Sequence, residues 1–283
     1  MTQQLPDTFR LGPAALRVSD ASRALDFYVN KVGLALRERG SDFALLGTPS
    51  EDLLRLDFVP GIAPRDERET GLYHIAFLLP DRPSLGAVIA RLSANDVKLG
   101  AADHLVSEAI YVWDPDNNGI EIYRDRPRSE WTWRDGQVQM SNRPLDFQGL
   151  LAEPGVETRA RESVKEGTRI GHIHLEVDDL AKAKEFYSSV IGFTPVSTLP
   201  GAQFLSAGGY HHHIGTNVWE SRNGPPPSPE KAGLSSMTFV LPDEPSVDAL
   251  RRRLGSAGIE TIAAKDGFDF IDPWRTRVTV RRS

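Results

Sequence analysis

The sequence predicts an α+β protein made of four β-α-β-β-β units, arranged as a tandem duplication of a two-unit half. Two internal repeats and one distribution carry that reading. ALRVSDASRALDFYVNKVGL, from Ala15, recurs in register as HLEVDDLAKAKEFYSSVIGF, from His174. GLYHIAFLLPDRPS, from Gly71, recurs as GLSSMTFVLPDEPS, from Gly233. Repetition of this length and register is a strong sign of duplicated architecture. The distribution is that of histidine: all seven (74, 104, 172, 174, 211, 212, 213) fall in the two middle units.

Each unit can be read in order. In the first (11–60), Leu16 and Val18 mark a strand and Asp20 is an N-cap. A helix follows with Leu25, Tyr28 and Val32 on one face, ending near Gly33. Apolar segments at 43–46 and 54–58 read as strands. The second unit (70–125) has a strand at 73–79, a helix near 84–93, and strands near 105–113 and 120–123. Residues 127–168 fit neither repeat and read as a long connection packed in part on the surface. The pattern restarts at Gly171. The halves are therefore 1–126 and 169–283, the second with units 170–220 and 232–283.

Composition bounds the function. The chain has 283 residues, and its apolar and charged fractions are those of a globular protein. A net charge of −6 argues against nucleic acid as a partner. Arg251, Arg252 and Arg253 lie among Val247, Leu250 and Leu254 at helical spacing and read as a solvated helix face. No apolar run approaches the roughly 18–20 residues needed to span a bilayer, so no membrane partner is expected. The N-terminus lacks the pattern of a secretory signal, and the expected location is cytoplasmic. With no cysteine, thiolate chemistry and disulfides are excluded.

The candidate chemistry lies in the middle units. Alternation puts His74 on one face of a strand with Ala76 and Leu78, and Glu121 on one face with Gly119 and Tyr123. A lone histidine on a half-buried strand is more often structural than a ligand. His74 and His172, however, each occupy the first strand of a unit, and Glu121 adds a carboxylate from a last strand. Two imidazoles and one carboxylate form the set that holds non-heme Fe(II) and leaves positions open. The outer units have lost it: His74 corresponds to Ser236, Glu121 to Thr279, and His172 to Pro13. His174 shares the face of His172 and is its rival. The run GGYHHHIG reads as part of a strand, with His212 facing opposite to His211 and His213. His104, Tyr111 and Glu108 are unremarkable by themselves, and DPDNNG after Trp113 is a turn.

At these residues the chain resembles the vicinal-oxygen-chelate superfamily, and within it the short bacterial catechol 2,3-dioxygenases. GHIHLEV carries the first ligand position at His172. YHIAFLLP carries the second at His74, and the strand of DPDNNGIEIY carries the acidic ligand at Glu121. The resemblance implies curved mixed sheets around a metal cavity, Fe2+ (with Mn2+ as the alternative), an aromatic diol and O2 as substrates, and a role in aromatic catabolism. It places Tyr111 and His104 on the substrate oxygens and an acid/base histidine best at His212, with His211 and His213 as alternatives. A homo-oligomer is compatible with it. In the larger enzymes of this kind the site belongs to the last two units, whereas here unit four is stripped. Units two and three are therefore expected to face each other. Units one and four should then enclose a metal-free space filled by apolar or small side chains.

The reading is an Fe(II)-dependent extradiol ring-cleaving dioxygenase acting on a catechol. Two alternatives share the fold. One is a glyoxalase-like lyase or isomerase with Zn2+ or Ni2+, usually with a fourth protein ligand on the last strand of the partner unit. The other is a drug-sequestering binding protein, which leaves the His/His/Glu set unexplained.

Overall fold

The computed structural model describes residues 4–283. The first unit comprises β1 (Ala14–Val18), α1 (Ala21–Leu25), β2 (Ala35–Arg39), β3 (Phe43–Gly47) and β4 (Asp52–Phe58). The second comprises β5 (Gly71–Leu79), α2 (Arg82–Ala94), β6 (Gly100–Asp103), β7 (Ser107–Trp113) and β8 (Gly119–Asp125). Two short helices follow, α3 (Phe147–Leu151) and α4 (Val156–Arg159). The third unit comprises β9 (Arg169–Glu176), α5 (Leu180–Lys184), β10 (Thr194–Leu199), β11 (Ala202–Ser206) and β12 (Ile214–Asn217). The fourth comprises β13 (Gly233–Leu241), α6 (Glu244–Ser256), β14 (Ile262–Ala264), β15 (Gly267–Ile271) and β16 (Arg277–Arg282).

The repeated aspartates explain where the four helices start. Asp20, Asp81, Asp179 and Asp243 each accept a hydrogen bond from a first-turn backbone N–H. Such a cap is worth about 0.5–2 kcal/mol. In α1 and α5 the helix widens into a π-turn, over Asp26–Val32 and Glu185–Ile191. Both close on a left-handed glycine, Gly33 at φ 95° and Gly192 at φ 101°, a conformation glycine adopts without a Cβ penalty.

The halves exchange partners. One sheet runs β10-β11-β12-β9-β5-β8-β7-β6, built from units two and three. The other runs β14-β15-β16-β13-β1-β4-β3-β2, built from units one and four, with the short strand Arg10–Leu11 added beside β13. Each sheet is joined at its centre by an antiparallel pair, β9 with β5 and β13 with β1. Within each half, a tyrosine ties one sheet to the other. Tyr28 donates to Asp114 at 2.9 Å, and Tyr187 donates to Asp272 at 2.8 Å.

Alternation in β5 divides inside from outside. Ile75, Phe77 and Leu79 join the large core with the helices, while Ala76 and Leu78 belong to a second, smaller cluster on the face of His74.

Three expectations need correction. The strand expected near 105–113 begins only at Ser107, because Leu105 takes φ 70° in the turn between β6 and β7. Residues 127–168 do more than cross the surface: Trp131, Val138, Leu145, Leu150, Val156 and Val164 are buried. The second sheet's counterpart of the site is also not filled by apolar or small groups alone. Thr279 stands in unit four where Glu121 stands in unit two, but Arg55 holds the same place in unit one, paired with Ala15 as Glu121 is with Ala76. Arg55 is ion-paired to Asp57 at 2.6 Å.

Candidate metal centre

Ala76 organises the centre. Across the β9–β5 pair its register partner is His172, and across the β5–β8 pair it is Glu121. His74 lies two residues back on the same face. Neighbouring strands are about 4.8 Å apart, so three long side chains around one methyl group must converge. All three are buried.

The converging atoms are Nε2 of both histidines and one oxygen of Glu121. His74 Nε2 and His172 Nε2 each lie 3.0 Å from Glu121 Oε2 and 3.3 Å from one another. Donors bound to an ion at about 2.0–2.2 Å with near-right angles lie about 3 Å apart, so the spacing fits one shared cation. Among the described residues this is the sole cluster of three or more such donors. His172 Nδ1 has no protein partner, so the ring is engaged only through the nitrogen facing the cluster. Two imidazoles and a carboxylate suit Fe2+, Mn2+ or Zn2+.

Electrostatics favour the metal-binding forms. Burial alone would push the Glu121 carboxyl up, but His172 and His74 overcome it and hold the group well below the usual carboxylate range. Burial pulls His172 down to about 4 against the opposing pull of Glu121, so its ring is neutral near pH 7. His212 and His174 are also held well below the ordinary range, again by burial.

The rival ligand, His174, is drawn elsewhere. Its Nε2 lies 3.2 Å from Asn217 Nδ2, and its ring lies over Gly215. Gly215 pairs with His174 as Glu121 pairs with Ala76, so it holds the place in unit three that Glu121 holds in unit two. That place has no side chain.

The other candidates surround the trio. His104 Nδ1 lies 3.0 Å from the Ser141 carbonyl and must donate to it. Its Nε2 then accepts the Tyr111 hydroxyl proton at 2.6 Å. Burial raises the Tyr111 pKa well above the usual value, so the hydroxyl stays protonated. The His212 ring packs on His172 at a centroid distance of 4.0 Å. The histidine run is not a strand: it is a turn after Gly208 and Gly209, both at positive φ, and β12 begins only at Ile214. Strand parity therefore does not separate the three. His211 and His212 meet through their Nδ1 atoms at 2.8 Å, whereas His213 turns back to Ser206. Glu108 lies outside the centre, ion-paired to Arg82, Arg124 and Arg126.

Several contributors were not singled out from sequence. Asp125 receives His211 Nε2 at 2.9 Å, and the Tyr123 and Tyr210 hydroxyls meet at 2.7 Å. Asp125 continues the face of Glu121 and Tyr123, and that alternation was the available signal. Ser141 and Trp131 come from the connection between halves and left none. A cavity of about 600 Å3 opens over His74, Glu121, Tyr111 and His212, with exposed Trp113 and Trp219 among its walls.

A family profile described as the Glyoxalase/Bleomycin resistance protein/Dioxygenase superfamily matches residues 10–122 and 169–268. The chain belongs to that superfamily. Among individual superfamily proteins, it is 43% identical over 278 residues to a catechol-2,3-dioxygenase of Bacillus subtilis (strain 168), covering 96% of each. A crystal structure of a putative dioxygenase from Bacillus subtilis subsp. subtilis str. 168 superposes with a TM-score of 0.66 at 13% identity, over 100% of this chain and 86% of that one. Glyoxalase I from Zea mays superposes with a TM-score of 0.56 at 16% identity, over 96% and 92%. At those identities the two structures speak for the fold alone. The β-α-β-β-β duplication is thus the superfamily's architecture, with units two and three bearing the clustered donors. No helix among the described residues is long and apolar enough to cross a membrane.

Proposed function

We propose that this protein is an extradiol dioxygenase that opens a catechol-type ring with O2, using Fe2+ held by His74, Glu121 and His172. Mn2+ is the alternative ion. The observation that carries the reading is a donor set of three with glycine at the fourth position. A glyoxalase-like lyase or isomerase usually completes its metal site from the last strand of the partner unit, and here that position is Gly215. The 43% identity to a protein named catechol-2,3-dioxygenase supports the same choice. A drug-sequestering protein would have no use for the cluster. The setting proposed is cytoplasmic aromatic catabolism.

When bound, the ion supplies a redox-active Lewis acid with open positions for two vicinal oxygens and O2. The chain's own groups do the rest. The Tyr111 hydroxyl donates its hydrogen bond to His104, so its oxygen lone pairs are free to receive a substrate hydroxyl. His212, a neutral base on the cavity wall, takes a proton from the diol. Such general acid/base help is worth about 10²–10⁴ in rate. Apolar walls, including Phe204 and Val112, limit water around the reacting ring.

The test is an oxygen-electrode trace with freshly loaded protein. Fe2+ or Mn2+ and a catechol should give oxygen uptake and a yellow ring-opened product. Silence across a broad catechol panel with both ions would overturn the reading.

A further inference from the structure

Behind His212 runs a hydrogen-bonded chain whose other two members, Asp125 and His211, have no role in the mechanism above. Asp125 Oδ1 lies 2.9 Å from His211 Nε2, and His211 Nδ1 lies 2.8 Å from His212 Nδ1. His211 is fully buried, with the rings of Tyr210 and Trp131 against it at centroid distances of 4.1 Å and 5.3 Å. Its orientation is therefore fixed by packing as well as by hydrogen bonds.

The chain determines where protons sit. An ionised carboxylate only accepts, so His211 must place its proton on Nε2. A neutral imidazole has a single ring proton, which leaves a lone pair on His211 Nδ1. The Nδ1–Nδ1 contact then requires His212 to donate from its own Nδ1. We propose that Asp125 and His211 are positioning residues that lock His212 in the Nδ1–H tautomer, leaving Nε2 as its basic nitrogen. The orientation of a reactive imidazole by its other nitrogen is a general device. No proton needs to travel along the chain. When a substrate O–H bond breaks and an N–H bond forms at His212 Nε2, the new imidazolium keeps its Nδ1–H bond to His211. Asp125 supplies the nearby negative charge.

The consequence for rate rests on the dioxygenase reading, but the tautomer does not. The first measurement is therefore made without a catechol, by ¹⁵N NMR of histidine side chains in protein loaded with diamagnetic Zn2+. Zinc takes the same imidazole and carboxylate donors. The signal lost in His212→Gln identifies the ring, which should show protonated Nδ1 and unprotonated Nε2. Asp125→Leu should scramble that tautomer and lower kcat about 10- to 100-fold, the usual cost of losing such an orienting partner. KM and metal retention should hardly move. Asp125→Asn keeps an oxygen acceptor and should restore both the tautomer and most of the rate. His211→Phe should match Asp125→Leu, with circular dichroism confirming that each variant is folded. A wild-type His212 protonated at Nε2, the pattern a doubly protonated His211 would impose, overturns the proposal. An unchanged tautomer in Asp125→Leu does so too. A correct tautomer in a protein that consumes no oxygen would sink the dioxygenase reading and leave the lock standing.

Discussion

The Cβ that Gly215 lacks would lie 2.8 Å from Cγ of His174, so the ring of one residue occupies the space the other leaves open. This pair keeps the donor set at three. Gly215→Glu in a His174→Ala background should make room for a fourth carboxylate beside the trio. The double variant should retain metal more tightly through dialysis and lose oxygen uptake by about 10²-fold or more, since a fourth protein ligand takes one of the positions that two vicinal oxygens and O2 need. Full activity alongside the extra ligand would show that the glycine does not matter.

Tyr111 and His104 should act on the substrate and not on the metal. Tyr111→Phe removes the hydroxyl and leaves His104 Nε2 without its donor. A fall of about tenfold in kcat/KM is expected, the value of one neutral hydrogen bond. Metal content, read by atomic absorption, should stay at the wild-type level. His104→Gln should behave alike, and metal loss in either variant would move these residues into the ligand shell.

Alternation and the repeat placed His74 and His172 on the first strands of units two and three and Glu121 on a last strand, because residues two apart share a face; those strands are neighbours in one sheet. The same logic failed at His211–His213, since parity has meaning only within a strand and this run is a turn. It also could not foresee Arg55 at the stripped counterpart, because a register position specifies a location and not its occupant. The hydrogen bond from His104 to Ser141 spans 37 residues, into a segment with no periodicity to read. Long-range polar contacts of that kind leave no trace in local pattern.

The repeated tyrosine–aspartate ties should be matched in strength. Tyr28→Phe and Tyr187→Phe each leave a buried carboxylate one donor short, at Asp114 and Asp272. Each should cost about 1–3 kcal/mol in urea unfolding, the penalty for a buried polar group that loses its partner. Their sum should describe the double variant, because the ties lie in separate halves and share no partner. Strong non-additivity would mean that the two couple through the common core.

Glu176 should make the protein less stable as pH rises toward neutrality. Burial pushes its carboxyl up to about 7, against the opposing pull of Arg65 at 2.7 Å, and Glu67 and Glu220 push the same way. In the unfolded chain the group returns to about 4.5. Below that value both states hold the proton, and the contribution to stability is fully present. Between about 4.5 and 7 the unfolded chain releases its proton first, so stability falls with rising pH and levels off above the window. Glu176→Gln keeps a hydrogen-bond acceptor for Arg65 and has no proton to lose. The buried Asp272, with its own carboxyl raised to about 6, contributes a fall of the same sign in both proteins, so only the difference between them reports Glu176. Urea midpoints measured from pH 5 to pH 8 should therefore drop more steeply in the wild type than in Glu176→Gln. Parallel profiles would show that the buried carboxyl titrates normally and that Arg65 fully offsets its desolvation.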